Sequence, residues 1–396
     1  MMDYKERYIE LLLDIILKIE RYESLTINCD ENDHQLEFAT LLAEKAGLKS
    51  DQEANVVVLD RGKVKEVIPF NQQKEIKPVK RQLLLRIDDT ESRSWVIDEK
   101  SSSLVNSAPL LQRFGLLAPP QLNKPLSPWA VIAVPGPLWA KHLYGSVKEL
   151  DALWKNFAKI LFLDHDNFKE KWEEHLLVLQ SRMRAFNRLE VDYFHLKGDG
   201  TDLILKGCEM GRWRSGLFVL QDGRTFYPYL MPQRLSLLTD RFSAKGTLTI
   251  NHPFKLLNDV IEEATFQFFE GEVVTFNAKK GKETLEAVIN IDSNSRRISE
   301  LSLVESENQL TKDRVLSGYL GFDENRYSSI VLGCGDASHI EALGLYDDEQ
   351  ELESLTGCNI SLIKNRIPLI DDNFEITAHL EDGEPLQIMN NGMILT

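Results

Sequence analysis

The sequence predicts an α/β N-terminal domain followed by a β-rich α+β C-terminal domain. Two observations carry this. Up to about residue 190, apolar runs such as ANVVVLD (54–60), RQLLLRID (81–88) and WAVIAVPG (129–136) alternate with segments of helical period, the pattern of βα units around a parallel sheet. Beyond that point the strand-like segments become short and are punctuated by Lys-Gly, Asp-Gly and Glu-Gly turns. The 396 residues have room for both domains, assigned to 1–190 and 191–396.

Taken in order, residues 3–21 place Tyr8, Leu11, Leu12, Ile15, Ile16 and Ile19 at helical spacing. SLTINC (24–29) reads as a strand, and DHQLEFATLLAEKA (33–46) as a helix ended by Gly47. ANVVVLD, RQLLLRID and WAVIAVPG supply interior strands, with a helix expected at LLQRFGL and a loop at the serines 101–103. Residues 147–188 read as a long helical region, with Trp154, Phe157, Ile160 and Leu161 on one side of its first part. In the second domain, VDYFHLKG, GTDLILKG, GLFVLQDGRTFYPYL and AKGTLTIN are strand candidates. ATFQFFEGEVVTFNA alternates on both sides of Glu270-Gly271, a hairpin signal. KKGKETLEAVIN reads as a short helix, ISELSLVE and the region 359–373 as strands, and the last 20 residues as short strands around EDGEP and NNG.

Composition narrows the function classes. Acidic residues number 62 against 46 basic ones, a formal net charge of -16, which argues against a broad nucleic-acid surface. Four cysteines without paired spacing do not make a disulfide framework or a zinc knuckle, and none of the eight histidines sits at metal-ligand spacing from another. The N-terminal segment is broken by Asp14 and Lys18 and lacks a small-residue cleavage site, so it does not read as a signal peptide. No run approaches ~20 apolar residues, so no spanning helix and a cytoplasmic location are expected. An amphipathic membrane helix over 5–20 shares the observed period, but an ordinary domain helix fits it better.

Isolated motifs add little. Gly136 between Pro135 and Pro137 makes a rigid loop after a strand, a place that lines a cleft in many α/β domains. GDGTD (198–202) lacks the Lys-Ser/Thr of a phosphate loop, and no serine sits in a Gly-x-Ser-x-Gly elbow. Cys334, between Gly333 and Gly335, is a better candidate than Cys208 for an exposed thiol, although a structural role fits both.

A longer series of segments is more specific. WAVIAVPGPLWAKHLYG (129–145), KGDGTDLILKG (197–207), RWRSG (212–216), DGRTFYPYLMP (222–232), NDVIEE (258–263), EGEVVTFNAKKGKETLEAVINIDSNSRRISELSLV (270–304) and GFDENRYSSIVLG (321–333) follow one another. In this order they resemble the metal-dependent aminopeptidases of the thermophilic aminopeptidase T and aminopeptidase S type. The resemblance implies an aminopeptidase T-like fold, a homodimer, and two adjacent divalent metals that activate water to release the N-terminal residue of a peptide. It also implies six ligands: two glutamates, a histidine, a tyrosine and a His-x-Asp pair.

Carried over position by position, the two glutamates fall on Glu262 and Glu300. The histidine falls on Ser329, the tyrosine on Asp336, and the His-x-Asp pair on Lys364 and Arg366. The family's Pro-Thr-Glu-Glu motif reads Met231-Pro232-Gln233-Arg234, so its acidic pair is absent as well. Four of the six ligand positions are therefore substituted, two of them by cations. The expected arrangement is a salt-bridged site, Glu262 and Glu300 paired with Lys364 and Arg366 and joined by Asp336, with no need of metals. This implies a relative that is inactive or differently active, or one retained to bind a peptide or partner. An active site remodelled around His339 or His379 with one or two zinc, cobalt or manganese ions is the alternative, and a structural role through a dimer interface is a third.

Overall fold

The computed structural model describes residues 4–18, 21–22, 24–50, 53–60, 63–70, 82–88, 125–257, 259–312, 319–341, 343–370 and 373–395. The helix expected at LLQRFGL and the loop at 101–103 lie outside the described residues.

Five strands form the first sheet: β1 (Ser24–Asp30), β2 (Glu53–Asp60), β3 (Lys63–Phe70), β4 (Gln82–Ile87) and β5 (Trp129–Ile132), in the order β3-β2-β1-β4-β5. β1 pairs in parallel with β2 and β4, and β4 in parallel with β5. The helix Asp33–Ser50 crosses from β1 to β2, as a parallel pair requires. It runs through Gly47 rather than ending there. Its start is fixed by Asn32, whose Oδ1 accepts the Gln35 N–H at 3.0 Å. β3 returns antiparallel to β2 and was not expected, because Lys63, Lys65 and Glu66 dilute its apolar alternation. Those charges suit an exposed edge strand.

The N-terminal helix Tyr4–Leu11 continues into a π turn, Leu12–Ile16, closed by a Leu17 N–H to Leu12 C=O bond of 2.8 Å. Tyr8, Leu12 and Ile16 are buried, so this is a domain helix with its apolar face on the core. The expected long helical region splits into Leu150–Ile160 and Phe168–Phe186. No described helix is long and apolar enough to cross a membrane.

The second half is strand-rich. It holds β6 (Val191–Gly198), β7 (Thr201–Leu205), the short pair β8 (Phe218–Val219) and β9 (Thr225–Phe226), β10 (Leu235–Leu238), β11 (Lys245–Ile250), the short pair β12 (Phe254–Leu256) and β13 (Asp259–Ile261), β14 (Ala264–Phe269) and β15 (Glu272–Asn277). After the helix Lys282–Ile289 come β16 (Ile298–Leu303), β17 (Ser329–Gly333), β18 (Lys364–Pro368), β19 (Glu375–Leu380), β20 (Pro385–Asn390) and β21 (Met393–Ile394). An eight-stranded sheet runs β15-β14-β11-β7-β6-β19-β20-β21, and a four-stranded antiparallel sheet runs β10-β16-β17-β18.

Two large apolar clusters result. One is built mainly from residues 8–176, the other from residues 179–394. The chain then returns to the first cluster with Tyr227, Leu230, Met231, Leu310, Tyr319 and Phe322. Phe157 is the hub of this return, with ring centroids 5.1 Å from Tyr8 and 5.9 Å from Phe322. Tyr319 Oη donates to the Val131 carbonyl at 2.6 Å, and the Val131 N–H donates to the Pro228 carbonyl at 2.7 Å.

Candidate functional site

The four-stranded sheet assembles the site. Side chains alternate between sheet faces, and directly opposed residues share a face. Leu301, Leu303, Ile330, Leu332 and Ile367 point into the second core. The other face therefore carries Glu300, Ser302, Ser329, Lys364 and Arg366. In the register Glu300 opposes Val331, and Val331 opposes Arg366. Glu300 and Arg366 thus stand two strands apart, about 10 Å between backbones. The long guanidinium side chain spans Val331 to reach the carboxylate.

The contact is direct. Arg366 Nη2 donates to Glu300 Oε1 at 2.8 Å, and Arg366 Nη1 donates to Ser329 Oγ at 2.8 Å and Ser302 Oγ at 2.9 Å. Ser302 Oγ also lies 2.8 Å from Glu300 Oε1. Lys364 Nζ is 3.6 Å from Glu300 Oε2. Glu300 is 1% exposed and Arg366 9%, so the pair is nearly shielded from water.

Two further charges complete the group. Glu324 belongs to the Phe322-Asp323-Glu324-Asn325 segment, which the burial of Phe322 in the first core anchors. Its Oε2 is 3.6 Å from Arg234 Nη1 and 3.9 Å from Arg366 Nε. Arg234 follows a strained turn at Met231, φ 50°, and its Nη1 also donates to the Glu324 carbonyl at 3.1 Å. Three cations, Arg234, Lys364 and Arg366, thus face the carboxylates of Glu300 and Glu324.

The electrostatics follow from this mixture. Burial raises the Glu300 carboxyl, but Arg366, Lys364 and Arg234 outweigh it and hold the group well below the usual carboxylate range. Glu324 is lowered by the same balance of burial against Arg366 and Arg234. Burial also raises Asp336, and His339 and Lys364 bring it below its ordinary value. Asp336 caps a short turn by accepting the Ser338 N–H at 3.0 Å. Burial lowers His339 against the pull of Asp336 and Glu300, so its ring favours the neutral form. His339 Nδ1 and Arg366 Nε are buried without a hydrogen-bond partner among the described residues.

Several sequence expectations need correction. Glu262 does not join Glu300, Lys364 and Arg366. It follows β13 in a bridge to Lys280, whose Nζ is 3.2 Å from its carboxylate, and the two side chains are 33% and 60% exposed. His379 is likewise elsewhere, on β19 of the eight-stranded sheet, with its ring stacked on Tyr193 at 4.2 Å. Cys334 is buried, and burial pushes its thiol above the ordinary value, so it is not an exposed nucleophile. Glu324 and Arg234 were missed as members of the cluster, although both lie in segments whose sequence is distinctive. Gly136, read from sequence as part of a rigid loop after β5, is the residue that caps a helix starting at Pro137.

Metal donors are present in kind but not in arrangement. Glu300, Asp336 and His339 are suitable types, yet Glu300 is occupied by a guanidinium, an ammonium and a hydroxyl. Among the described residues no group of three His, Cys, Asp or Glu side chains is placed to hold a metal ion.

Known proteins agree with the segment-by-segment resemblance. Aminopeptidase T of Thermus aquaticus is 26% identical over 267 residues, 67% of this chain and 64% of that protein. Aminopeptidase 2 of Geobacillus stearothermophilus matches with the same 26% identity over 67% of this chain and 64% of its own. The chain thus spans just under two thirds, 64%, of the length of these curated relatives. The solved structure of wild-type AmpT from Thermus thermophilus superposes with a TM-score of 0.74 at 19% identity, covering 99% of both chains, which establishes the aminopeptidase T-like fold. Residues 120–394, more than half of the chain, match the family described as thermophilic metalloprotease (M29). The chain belongs to this M29 peptidase family.

Proposed function

We propose that this chain is a family member in which a buried ion-pair cluster has replaced the metal centre, and that it binds a peptide or a protein partner rather than hydrolysing peptides. The observation that carries this reading is the 2.8 Å contact between Arg366 and Glu300 at two positions where the resemblance expects metal ligands. A guanidinium stays charged at any physiological pH. A divalent ion about 4 Å from one positive charge is opposed by on the order of 8 kcal/mol at an effective dielectric near 20. Lys364 adds a second cation, and Ser329 offers a neutral hydroxyl already used by Arg366. Without a metal or comparable electrophile, nothing in this group lowers the pKa of a water toward neutrality.

A second reading, an active aminopeptidase with one metal in a remodelled site, draws on His339. Its buried Nδ1 lacks a partner, and Asp336 and Glu300 lie within electrostatic reach. One experiment separates the two. Metal content is measured on protein purified without chelator, beside hydrolysis of unblocked aminoacyl substrates with added cobalt, zinc or manganese. The first reading expects substoichiometric metal and no hydrolysis. Two metals per chain, or hydrolysis that is lost in Glu300→Gln, overturns it. A single metal lost in His339→Ala establishes the second.

The same proposal includes a cytoplasmic homodimer, the state the resemblance implies. Light scattering of the purified chain tests the dimer, with a monomeric mass at micromolar concentration as the refuting result.

A further inference from the structure

A cavity of about 270 Å³ opens between the helix Phe168–Phe186 and the segment leading into β10, and no residue of the Glu300 cluster lines it. Phe162, Val178 and Leu179 give it an apolar wall. Some of its polar lining is already committed. Arg182 and Glu305 are paired at 2.7 Å, and His175 Nε2 is 2.7 Å from the Pro232 carbonyl. Three polar groups remain. Lys171, Glu174 and Gln233 line the cavity, and none of their side chains has a hydrogen bond or ion pair among the described residues. Lys171 Nζ only approaches the Phe162 ring, 5.9 Å from its centroid.

These groups specify a ligand by chemistry. Lys171 and Glu174 are three residues apart on one helix and so share a face. They offer one free positive and one free negative charge, beside a free amide and an apolar surface. A lone anion would meet Glu174 and Glu305, and a lone cation would meet Lys171 and Arg182. A zwitterion satisfies both, with its carboxylate at Lys171 and its ammonium at Glu174 and the Gln233 carbonyl. The volume lies below the ~300–1,000 Å³ of drug-sized pockets, which restricts the occupant to a small molecule. We propose that this cavity binds a free α-amino acid with an apolar side chain. Gln233 immediately precedes Arg234, so one chain segment serves both this cavity and the Glu300 cluster.

Isothermal titration calorimetry on the full chain tests this with L-leucine as the probe. Isocaproate, which lacks the ammonium, and isoamylamine, which lacks the carboxylate, serve as comparison ligands. Leucine is expected to bind, and each comparison ligand to bind at least about tenfold more weakly, the worth of one charge-assisted hydrogen bond. Lys171→Met and Glu174→Gln are each expected to weaken leucine by a similar factor, and the neighbouring Glu173→Gln to leave it unchanged. The absence of leucine binding at millimolar concentration overturns the proposal. So does equal affinity for isocaproate, or leucine binding insensitive to Glu174→Gln. The ligand comparison needs no variant, so the test survives a substitution that impairs folding. The titrations are run in excess EDTA, which removes any metal that could chelate leucine at the Glu300 cluster, so their outcome is independent of whether that cluster holds metal.

Discussion

Arg366 and Glu300 form a pair whose two members are unequal in what their loss exposes. Both are nearly buried, and they meet directly at 2.8 Å. Removing one partner of such a pair strands the other charge, which typically costs about 3–5 kcal/mol, whereas replacing both by apolar groups of similar volume is often close to neutral. Arg366→Met is therefore expected to lower unfolding free energy by about 3–5 kcal/mol in urea. The double variant Glu300→Met/Arg366→Met is expected to recover most of that loss. Lys364 lies farther from the carboxylate, at 3.6 Å, and is 21% exposed, so Lys364→Met should cost distinctly less than Arg366→Met. If both single variants cost under about 1 kcal/mol, the pair does not hold the sheet face together as described. Arg366, Lys364 and Arg234 lower both Glu300 and Glu324 against burial, and Glu300 is held the further below its ordinary value.

Elements differ in how much of them the sequence discloses. The hairpin β14–β15 is legible because its apolar alternation and its Glu270-Gly271 turn are both local, and the structure puts both turn residues at positive φ, 49° and 81°. Gly271 is required there, since an added Cβ would lie 1.8 Å from the Arg241 carbonyl oxygen. Glu270 is a poorer choice for the left-handed region than asparagine. Glu270→Asn is accordingly expected to raise stability by about 0.5–1 kcal/mol, read as a higher thermal midpoint, while an unchanged or lower midpoint would contradict the turn assignment. The charged edge strand β3 was illegible because edge positions need not be apolar. The site was legible only in part. Glu300, Lys364 and Arg366 follow from ordered motifs, and their mutual contact was inferred from charge alone. Membership of Arg234 and Glu324, and the exclusion of Glu262, depend on the order β10-β16-β17-β18 and on Phe322 docking in the first core. Those pairings join residues far apart in sequence, and no local period encodes them.

At the scale of the whole molecule, the two halves are tied by the return of residues 227–231 and 319–322 to the first core and by the helix Phe168–Phe186. His175 sits at one of these ties. Its Nε2 is 2.7 Å from the Pro232 carbonyl, so the neutral ring must carry its proton on Nε2 and donate it. Trp172 and Phe162 flank the ring, with centroids 6.2 and 6.4 Å away. Burial lowers the His175 pKa, the Pro232 bond opposes that in part, and Arg182 lowers it further. The folded pKa therefore lies below the unfolded value of about 6.5. Above that value both states are neutral at this ring and the contribution is fully present. As pH falls through the unfolded and then the folded pKa, the unfolded chain binds the proton first and stability drops. The prediction is a loss of unfolding free energy below about pH 6.5 that is smaller in His175→Gln, which keeps a donor for Pro232 but does not titrate. Urea midpoints of both proteins at neutral and mildly acidic pH measure it, and parallel pH dependences would refute it. Carboxylates titrate in the same direction at lower pH, so the difference between the two proteins, rather than either curve alone, isolates the tie at Pro232.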